Sequence, residues 1–237
     1  MPACGAPCTW RGANPDALLG FEAPGGHARR PLAAGGHRRY SAAMKKPPRP
    51  RVTLAEAMAS LEAAGAEQTR KTYRRHGITG PMFGVSFATL KALRKRIGVD
   101  HELALALWDS GNYDARNLAA KVADPGRMTA QELDRWARAS ATTRACVPYV
   151  AMLAAEGPHA GAKAAQWVGA VDAVERDVGW ALLGQLAHHD EGLPDAWFEA
   201  QLAAIEATIH GAPNNERDGM VRAVIGVGCR NERLRSE

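Results

Sequence analysis

The sequence lacks the segments that would place it in a membrane or direct it to secretion. No apolar run approaches the roughly 20 residues of a membrane-spanning helix, and no signal-peptide segment precedes the first cysteines. The four cysteines, Cys4, Cys8, Cys146 and Cys229, are scattered and form no metal-binding spacing. These absences predict a cytoplasmic protein with free thiols in a reducing compartment.

Sequence motifs of several enzyme classes are also missing. The patterns GxGxxG, Walker loop, GxSxG and HExxH do not occur. His188 and His189 are neighbours, but adjacent side chains on a helix point about 100° apart, which suits a shared metal ion poorly. Cys4 and Cys8 lack histidine partners at zinc-finger spacing. The sequence therefore predicts neither a metal ion nor a cofactor.

The positive net charge is confined to the beginning of the chain. The whole chain has a net charge of +5. Residues 1–50 contain eight basic and two acidic residues, which gives this segment a net charge of +6. Residues 51–237 contain 22 basic and 23 acidic residues, a net charge of −1. The overall charge is therefore no argument for nucleic-acid binding, and only local clusters of basic residues can support it.

Residues 1–50 are rich in Gly, Pro, Ala and Arg and have almost no large aliphatic residues. Such a segment cannot bury enough apolar surface to offset the entropy of ordering, which predicts a disordered tail before a folded domain at 51–237. We favour Met44, which precedes KKPPRPR, as the true start of translation. An organellar transit peptide is the alternative, although the Gly and Pro content opposes the amphipathic helix that it requires.

From Thr53 onward the sequence has helical patterns and no strand signal. Thr53 and Glu56 form a capping box that opens the first helix. Residues 81–125 contain three apolar helical stripes, separated by turns at Gly98 and Gly111. About eleven helices, at two per ~35–45 residues, predict an all-α fold. They favour an α-solenoid of HEAT-like antiparallel helix pairs over a closed bundle.

Two consecutive helices carry clusters of basic residues. In AEQTRKTYRRHG, four cations cover an arc of roughly 140°, and the next helix places three cations on one face. Neighbouring helices can merge both clusters into one strip that binds phosphates, whereas the alternative is two solvated helix faces. The predicted DNA-binding residues are Arg70, Lys71, Arg74, Arg75, Lys91, Arg94, Lys95 and Arg116.

The tryptophans of the helical region fall mostly on apolar stripes. They are Trp108, Trp136, Trp167, Trp180 and Trp197, and this pattern favours a role in the core. Trp167 and Trp180 are retained as candidate aromatic residues of a binding groove.

Three segments resemble the DNA alkylation repair enzyme family, which comprises HEAT-repeat alkylpurine DNA glycosylases and their relatives. The segments are EQTRKTYRRHG, PMFGVSFATLKALRKRIGVDHELALALWDSGNYDARNLAAKVADP and MTAQELDRWAR. The similarity extends over about residues 53–230 and is strongest over 67–138. The resemblance implies a protein that holds duplex DNA in the concave face of its solenoid and excises cationic N3- or N7-alkylated purines without metal or cofactor. We expect such a protein to be a monomer.

The residues to which the resemblance assigns catalysis are replaced in this chain. An alkylated purine is already a cationic leaving group, so a carboxylate and aromatic faces suffice to stabilise the charge that grows on the deoxyribose. The family's aromatic residue and two aspartates align with Thr143, Arg144 and Val147. A further Trp and an Arg align with Val174 and Asp177. Neither the aromatic residue nor the carboxylates are present at the first three positions.

These replacements predict a DNA-binding member of the family whose glycosylase activity is weak, divergent or lost. A shift of one helical turn in the alignment would bring Glu156 or Asp172 into the site as the missing carboxylate. The alternative is a non-catalytic HEAT-repeat scaffold for protein–protein interaction, which the near-neutral charge of residues 51–237 favours.

Overall fold

In a computed structural model, residues 51–140, 146–189 and 192–236 are described, and all regular structure within these ranges is helical. The tail predicted to be disordered, residues 1–50, lies outside the described ranges. The helices are α1 (Leu54–Ala63), α2 (Glu67–Arg75), α3 (Phe87–Ile97), α4 (His101–Asp109), α5 (Tyr113–Val122), a 3-10 helix (Pro125–Arg127), α6 (Ala130–Ala139), α7 (Val147–Ala155), α8 (Ala160–Val168), α9 (Ala173–His189), α10 (Asp195–Thr208), α11 (Asn214–Arg230) and α12 (Glu232–Ser236). Within these ranges, no helix has both the length and the apolar character that a membrane crossing requires.

Side-chain caps determine where several helices begin. The Thr53 hydroxyl accepts a hydrogen bond from the Glu56 N–H at 3.2 Å, and the Glu56 carboxylate accepts one from the Thr53 N–H at 2.8 Å. Thr129 and Glu132 repeat this reciprocal pair at the start of α6. Both exchanges satisfy N–H groups that have no partner within the helix. The predicted capping box at Thr53 is confirmed.

The helices pack in two rows. Helices α3, α5, α7, α9 and α11 form one row, in which each helix contacts the next. In the second row, α4, α6, α8 and α10 each pack against the member of the first row that follows it in the chain. Short connections between successive helices produce this alternation, as in the stacked helix pairs of a HEAT-like repeat.

Large aromatic and aliphatic side chains fill the space between the two rows. Trp108, Trp136 and Trp167 are each at most 2% exposed. The indole rings of Trp108 and Trp136 stack with centroids 4.0 Å apart and planes within 5° of parallel. For these residues the predicted role in the core is confirmed.

The backbone of helix α9 lies in direct contact with the backbones of its neighbours, because glycines lie at the contacts. A Cβ atom on Gly226 of α11 would lie 2.6 Å from the carbonyl oxygen of Gly184 of α9. A Cβ atom on Gly179 of α9 would lie 2.6 Å from the backbone nitrogen of Val168 at the end of α8. No side chain fits at either contact, so glycine sets the spacing between these helices.

The buried carboxylate of Asp114, at the start of α5, holds the loop that leads into α3. One carboxylate oxygen accepts hydrogen bonds from the N–H groups of Phe83 at 2.7 Å and Gly84 at 2.9 Å. The other accepts from the N–H of Val85 at 2.9 Å. Asp114 is 0% exposed, so these three bonds replace the water that its charge would otherwise require.

Helix α2 holds the same loop from the other side. The Arg70 guanidinium donates to the carbonyl oxygen of Phe83 at 2.8 Å, and the Tyr73 hydroxyl donates to that of Val85 at 2.6 Å. Gly84 has a φ of 80°, and a Cβ atom there would lie 2.6 Å from the carbonyl oxygen of Ala66. The loop is therefore fixed between α2 and α5, and it determines where α3 begins.

We expect Asp114→Asn to destabilise the fold by about 3 kcal/mol, because an amide has one acceptor oxygen and would direct its NH₂ group at backbone N–H donors. The free energy of unfolding in urea measures the loss. Asp109→Asn is the control, since Asp109 pairs with Arg135 at 2.6 Å on the surface, and it should cost less than about 1 kcal/mol. Equal losses in the two variants would contradict the role of Asp114.

Candidate nucleic-acid interface

A groove with a volume of about 380 Å³ lies between α3, α5 and α7. We call it the α3–α5–α7 groove. Its lining residues are Phe87, Lys91, Arg94, Val99, Ala120, Lys121, Ala123, Pro125, Tyr149, Met152, Leu153 and Glu156.

The charged residues of this groove are mostly basic. Lys91 and Arg94 come from α3 and Lys121 from α5, whereas Glu156, directly after α7, is the acidic residue of the lining. The Arg94 Nε atom donates a hydrogen bond to the carbonyl oxygen of Lys121 at 3.2 Å, which connects the two helices. The groove therefore has a positive electrostatic potential, which attracts anionic ligands.

Aromatic and apolar side chains lie beside these charges. The rings of Phe87 and Tyr149 have centroids 6.3 Å apart and planes inclined by 48°. Phe87 is 45% exposed, and Met152 is 44% exposed. Apolar surface that stays exposed next to cations can contact the sugar or the base of a nucleotide while the cations bind its phosphates.

The amine of Lys121 rests on an aromatic ring inside the groove. Its Nζ atom lies 2.9 Å from the centroid of the Tyr149 ring, whose face favours a cation. Burial lowers the pKa of Lys121 to about 8, Cys146 acts in the opposite direction, and Arg94 lowers it further. A substantial fraction of this amine is therefore neutral near physiological pH, unlike an ordinary lysine.

Most basic residues of α2 are exposed. Lys71, Arg74 and Arg75 are exposed on this helix. Helix α2 adjoins the groove through Tyr73, whose ring packs edge-on against Phe87 with centroids 6.3 Å apart. Arg70 is half-buried, because its guanidinium donates to the carbonyl oxygen of Phe83. Both Arg70 and Arg74 form ion pairs with Glu67, at 2.8 and 3.9 Å.

The two remaining residues predicted to bind DNA, Lys95 and Arg116, lie in different places. Lys95 is exposed on α3, the helix that supplies Lys91 and Arg94 to the groove. The guanidinium of Arg116 lies 5.3 Å from the centroid of the Trp108 ring, and its Nε atom donates to the Trp108 carbonyl oxygen at 3.3 Å. Arg116 thus packs on α4 and is not part of the groove lining.

The two tryptophans predicted as groove residues are buried instead. Trp167 is 0% exposed and donates its indole N–H to the Asp134 carboxylate at 2.8 Å. Trp180 is 3% exposed and donates to Glu216 at 3.4 Å. Neither ring offers a face to a ligand, so we leave both out of the proposed interface. Phe87 and Tyr149 are the aromatic residues of the α3–α5–α7 groove.

The positions aligned with the family's catalytic residues are described in part. Thr143 and Arg144 lie outside the described residues. Val147 is buried in the first turn of α7, and Val174 is half-buried on α9. Asp177 is 2% exposed, and the Arg222 guanidinium lies 3.6 Å from its carboxylate. Asp177 and Val147 therefore pack inside the protein.

An ion pair fixes Arg176, the arginine next to the aligned position. Its guanidinium donates to both carboxylate oxygens of Glu216, at 2.6 and 2.7 Å, and to the carbonyl oxygens of Ala170 and Val171. This bidentate pair raises the pKa of Arg176. Glu216 is 4% exposed, so the pair joins α9 to α11 in the interior.

The two alternative carboxylates have different locations. Glu156 lines the α3–α5–α7 groove. Asp172 caps the start of α9, where its carboxylate accepts hydrogen bonds from the N–H groups of Val174 at 2.9 Å and Glu175 at 3.1 Å. In the part of the chain that the structure describes, no three His, Cys, Asp or Glu side chains are grouped to hold a metal ion.

Sequence reasoning missed Phe87, Lys121 and Tyr149 as groove residues. One signal was available for Lys121, because it stands between Ala120 and Val122 on an otherwise apolar stretch of α5. A cation at the edge of an apolar stripe indicates either a snorkelling side chain or a functional site. Phe87 and Tyr149 gave no comparable signal, since isolated aromatic residues on helices are ordinarily core residues.

The two rows of paired helices define a HEAT-like repeat protein, and the basic, aromatic-lined groove lies along one of these rows. The sequence profile of the DNA alkylation repair enzyme family matches residues 57–233. The chain therefore belongs to the DNA alkylation repair enzyme family.

Two bacterial proteins and one solved structure are similar to this chain. Two uncharacterized proteins, one from Listeria innocua and one from Listeria monocytogenes, are each 24% identical over 188 residues, which cover 77% of this chain and 82% of the relative. A solved structure represents "a new family of proteins related to the HEAT-like repeat DNA glycosylases with affinity for branched DNA structures". It is 29% identical, has a TM-score of 0.72, and the match covers 77% of this chain and 79% of that chain. This similarity confirms the predicted HEAT-like fold.

We expect the Lys121 amine to titrate near pH 8, whereas an ordinary lysine titrates at about 10.4. Reductive ¹³C-methylation followed by an NMR pH titration measures it, with Lys121→Arg to identify the resonance. Between these two pKa values the folded chain has released a proton that the unfolded chain still binds, so the free energy of unfolding should rise with pH. A Lys121 resonance that titrates with the other lysines would contradict the effect of burial.

Proposed function

We propose that this protein binds duplex DNA, including branched forms, through the α3–α5–α7 groove and the neighbouring basic residues of α2. The observation that carries the proposal is the arrangement of Lys91, Arg94 and Lys121 around the rings of Phe87 and Tyr149. Cations from two helices and aromatic rings from two helices converge on one open groove. Cations bind the phosphates of a nucleic acid and aromatic rings contact its bases, so this combination of side chains suits a nucleic-acid ligand.

The cations supply the affinity for the phosphate backbone. Lys91 and Arg94 lie in the groove, and Lys71, Arg74 and Arg75 extend the positive surface along α2. Each cation that contacts a phosphate releases condensed counterions, so binding of this kind weakens steeply as salt is added. It also depends little on base sequence, because the contacts are to phosphates.

The aromatic rings account for a preference for distorted DNA. A base stacked within a regular duplex cannot reach Phe87 or Tyr149, whereas an unstacked base at a branch point can. The solved relative has affinity for branched DNA structures, and its similarity to this chain supports the same class of ligand here.

The alternative function, a protein-binding scaffold, predicts a different distribution of basic residues. A surface that binds proteins has no reason to gather cations from α3 and α5 into one groove. The lining contains Lys91, Arg94 and Lys121 and a single acidic residue, Glu156, although residues 51–237 are nearly neutral overall. This local imbalance favours a nucleic-acid ligand.

Reversal of two groove charges should weaken DNA binding at every sequence alike. We expect Lys91→Glu together with Arg94→Glu to lower the affinity for a branched junction and for a linear duplex by at least about tenfold near 0.1 M salt. The slope of log affinity against log salt concentration should decrease in magnitude by about two. Fluorescence anisotropy over a salt series measures both quantities.

The matched control reverses two exposed charges on α6, Arg135→Glu together with Arg138→Glu, which change the net charge by the same amount. This variant should keep at least half of the affinity. Equal losses in the two double variants would show that binding follows net charge alone, and salt-independent binding would contradict phosphate contacts.

Hydrolysis of the glycosidic bond of alkylated purines is the second candidate function. One observation favours it, the position of the Glu156 carboxylate in the lining of the α3–α5–α7 groove. A carboxylate beside a bound deoxyribose would stabilise the positive charge that develops as the base leaves.

Release of free 7-methylguanine from methylated duplex DNA, with protein in excess, tests this candidate. We expect release above the spontaneous rate in the wild-type protein and at least a tenfold loss in Glu156→Gln, which removes the charge and keeps the shape. Asp172→Asn, at the cap of α9, is the comparison variant outside the groove. Release at the spontaneous rate would exclude the glycosylase activity and leave the DNA-binding proposal unaffected.

A further inference from the structure

The α3–α5–α7 groove contains an amine in the setting of a nucleophilic lysine. Lys121 leaves α5 between two buried residues, Ala120 and Val122, and its Nζ atom reaches the Tyr149 ring at 2.9 Å. Within the ranges 51–140, 146–189 and 192–236, no carboxylate forms an ion pair with this amine. Lysines become nucleophiles where an apolar pocket or another cation disfavours their charge, and Arg94 is such a cation.

We propose that Lys121 forms a Schiff base with the C1′ aldehyde of an abasic deoxyribose bound in the groove, an inference that rests on the proposed DNA binding. The ligand is the ring-opened sugar that remains in DNA after a base has been lost. The groove volume of about 380 Å³ lies within the range of roughly 300–1,000 Å³ of ordinary small-ligand sites. A sugar that has lost its base needs less room than an intact nucleotide.

The reaction is balanced without metal, oxidant or cofactor. The neutral Nζ atom donates its lone pair to the C1′ carbonyl carbon, the C=O π bond breaks, and one amine proton passes to the oxygen, which gives a carbinolamine. The hydroxyl group takes up a proton from solvent and leaves as water, and the nitrogen lone pair forms the C=N bond of a cationic iminium. Addition of water to the iminium reverses the sequence and returns the free aldehyde and Lys121.

Three features of the groove favour this product. The Tyr149 ring face that lies against the ammonium also stabilises the iminium, since both are cations. Lys91 and Arg94 lie in the same lining and can bind the phosphates on either side of the abasic sugar. The apolar side chains of Met152 and Phe87 belong to the same lining and can contact the sugar.

The protonation state of the amine at neutral pH suits the reaction. With a pKa of about 8, as burial produces, roughly a tenth of the amine is neutral at pH 7, about 230 times more than at the ordinary value of 10.4. The other titratable and charged groups that face it are Lys91 and Arg94 on α3, Tyr149 and Glu156 on and after α7, and Cys146 at the start of α7. Of these, Arg94 favours the neutral amine and Cys146 opposes it.

Borohydride reduction tests the inference, because it converts an iminium into a stable covalent link. The full chain is incubated with a duplex that contains an abasic site, reduced, and resolved on a denaturing gel, and peptide mapping by mass spectrometry identifies the linked residue. Lys121→Arg keeps the positive charge but lacks the nucleophile. A duplex with a tetrahydrofuran analogue, which has no aldehyde, measures binding by fluorescence anisotropy in parallel, so adduct is expressed per bound duplex.

We expect a covalent adduct at Lys121 with the abasic duplex and at least a tenfold lower yield per bound duplex in Lys121→Arg. The initial rate in the wild-type protein should rise from pH 6 to pH 8 and then level off, whereas attack by an ordinary lysine would continue to rise about tenfold per pH unit up to about 10. Free 2-deoxyribose at the same concentration should give no adduct, because it lacks the phosphates that Lys91 and Arg94 bind.

The other outcomes overturn the inference in distinguishable ways. Binding of the tetrahydrofuran duplex without adduct, or adduct at a different lysine, rejects Lys121 as the nucleophile and leaves the DNA-binding function standing. Adduct with free 2-deoxyribose as efficient as with the duplex rejects an abasic nucleotide as the ligand. Absence of both binding and adduct rejects the proposed function and the inference together.

Discussion

The geometry of the groove depends on one buried carboxylate. Asp114 accepts hydrogen bonds from three consecutive backbone N–H groups, those of Phe83, Gly84 and Val85. Three donors directed at one ionised group can hold it inside the protein without water. Because the bonds join α5 to the residues just before α3, they fix the direction in which α3 leaves the loop. The positions of Lys91 and Arg94 follow from that direction.

The burial of Lys121 in the groove has a cost in stability. An apolar side chain of similar length would fill the same space without the cost of removing a cation from water. The aromatic face of Tyr149 offsets part of that cost, and the pKa of about 8 reflects the part that remains. A titratable group whose pKa is shifted by burial in a groove is common at functional sites.

Local signals in the sequence were sufficient to predict the helices and their starts. The side chains of Thr53, Ser86 and Asp100 accept hydrogen bonds from backbone N–H groups in the first turns of α1, α3 and α4. Each cap acts on its own first turn, so its effect can be predicted without any knowledge of the fold. The family resemblance added the arrangement of those helices, which periodicity suggests but does not determine.

The contents of the groove could not be predicted in the same way. Helical periodicity shows which side chains share a face, but it does not show which residues of another helix lie opposite that face. Arg70 and Arg116 resemble exposed cations in the sequence, yet one binds the loop before α3 and the other packs on Trp108. Lys121 and Tyr149 are 28 positions apart in the sequence and meet only because α5 and α7 are neighbours.

The glycines between α8, α9 and α11 bear on the order in which the chain folds. Glycine disfavours a helix by about 1 kcal/mol relative to alanine, and α11 contains Gly219, Gly226 and Gly228 while α9 contains Gly179 and Gly184. These interior glycines lower the helix propensity of both segments, and in proteins most helical stability comes from tertiary packing. Their helicity must come from the close backbone contacts that glycine permits. Helix formation in α9 and α11 is therefore coupled to their packing, which places both events at the same stage of folding.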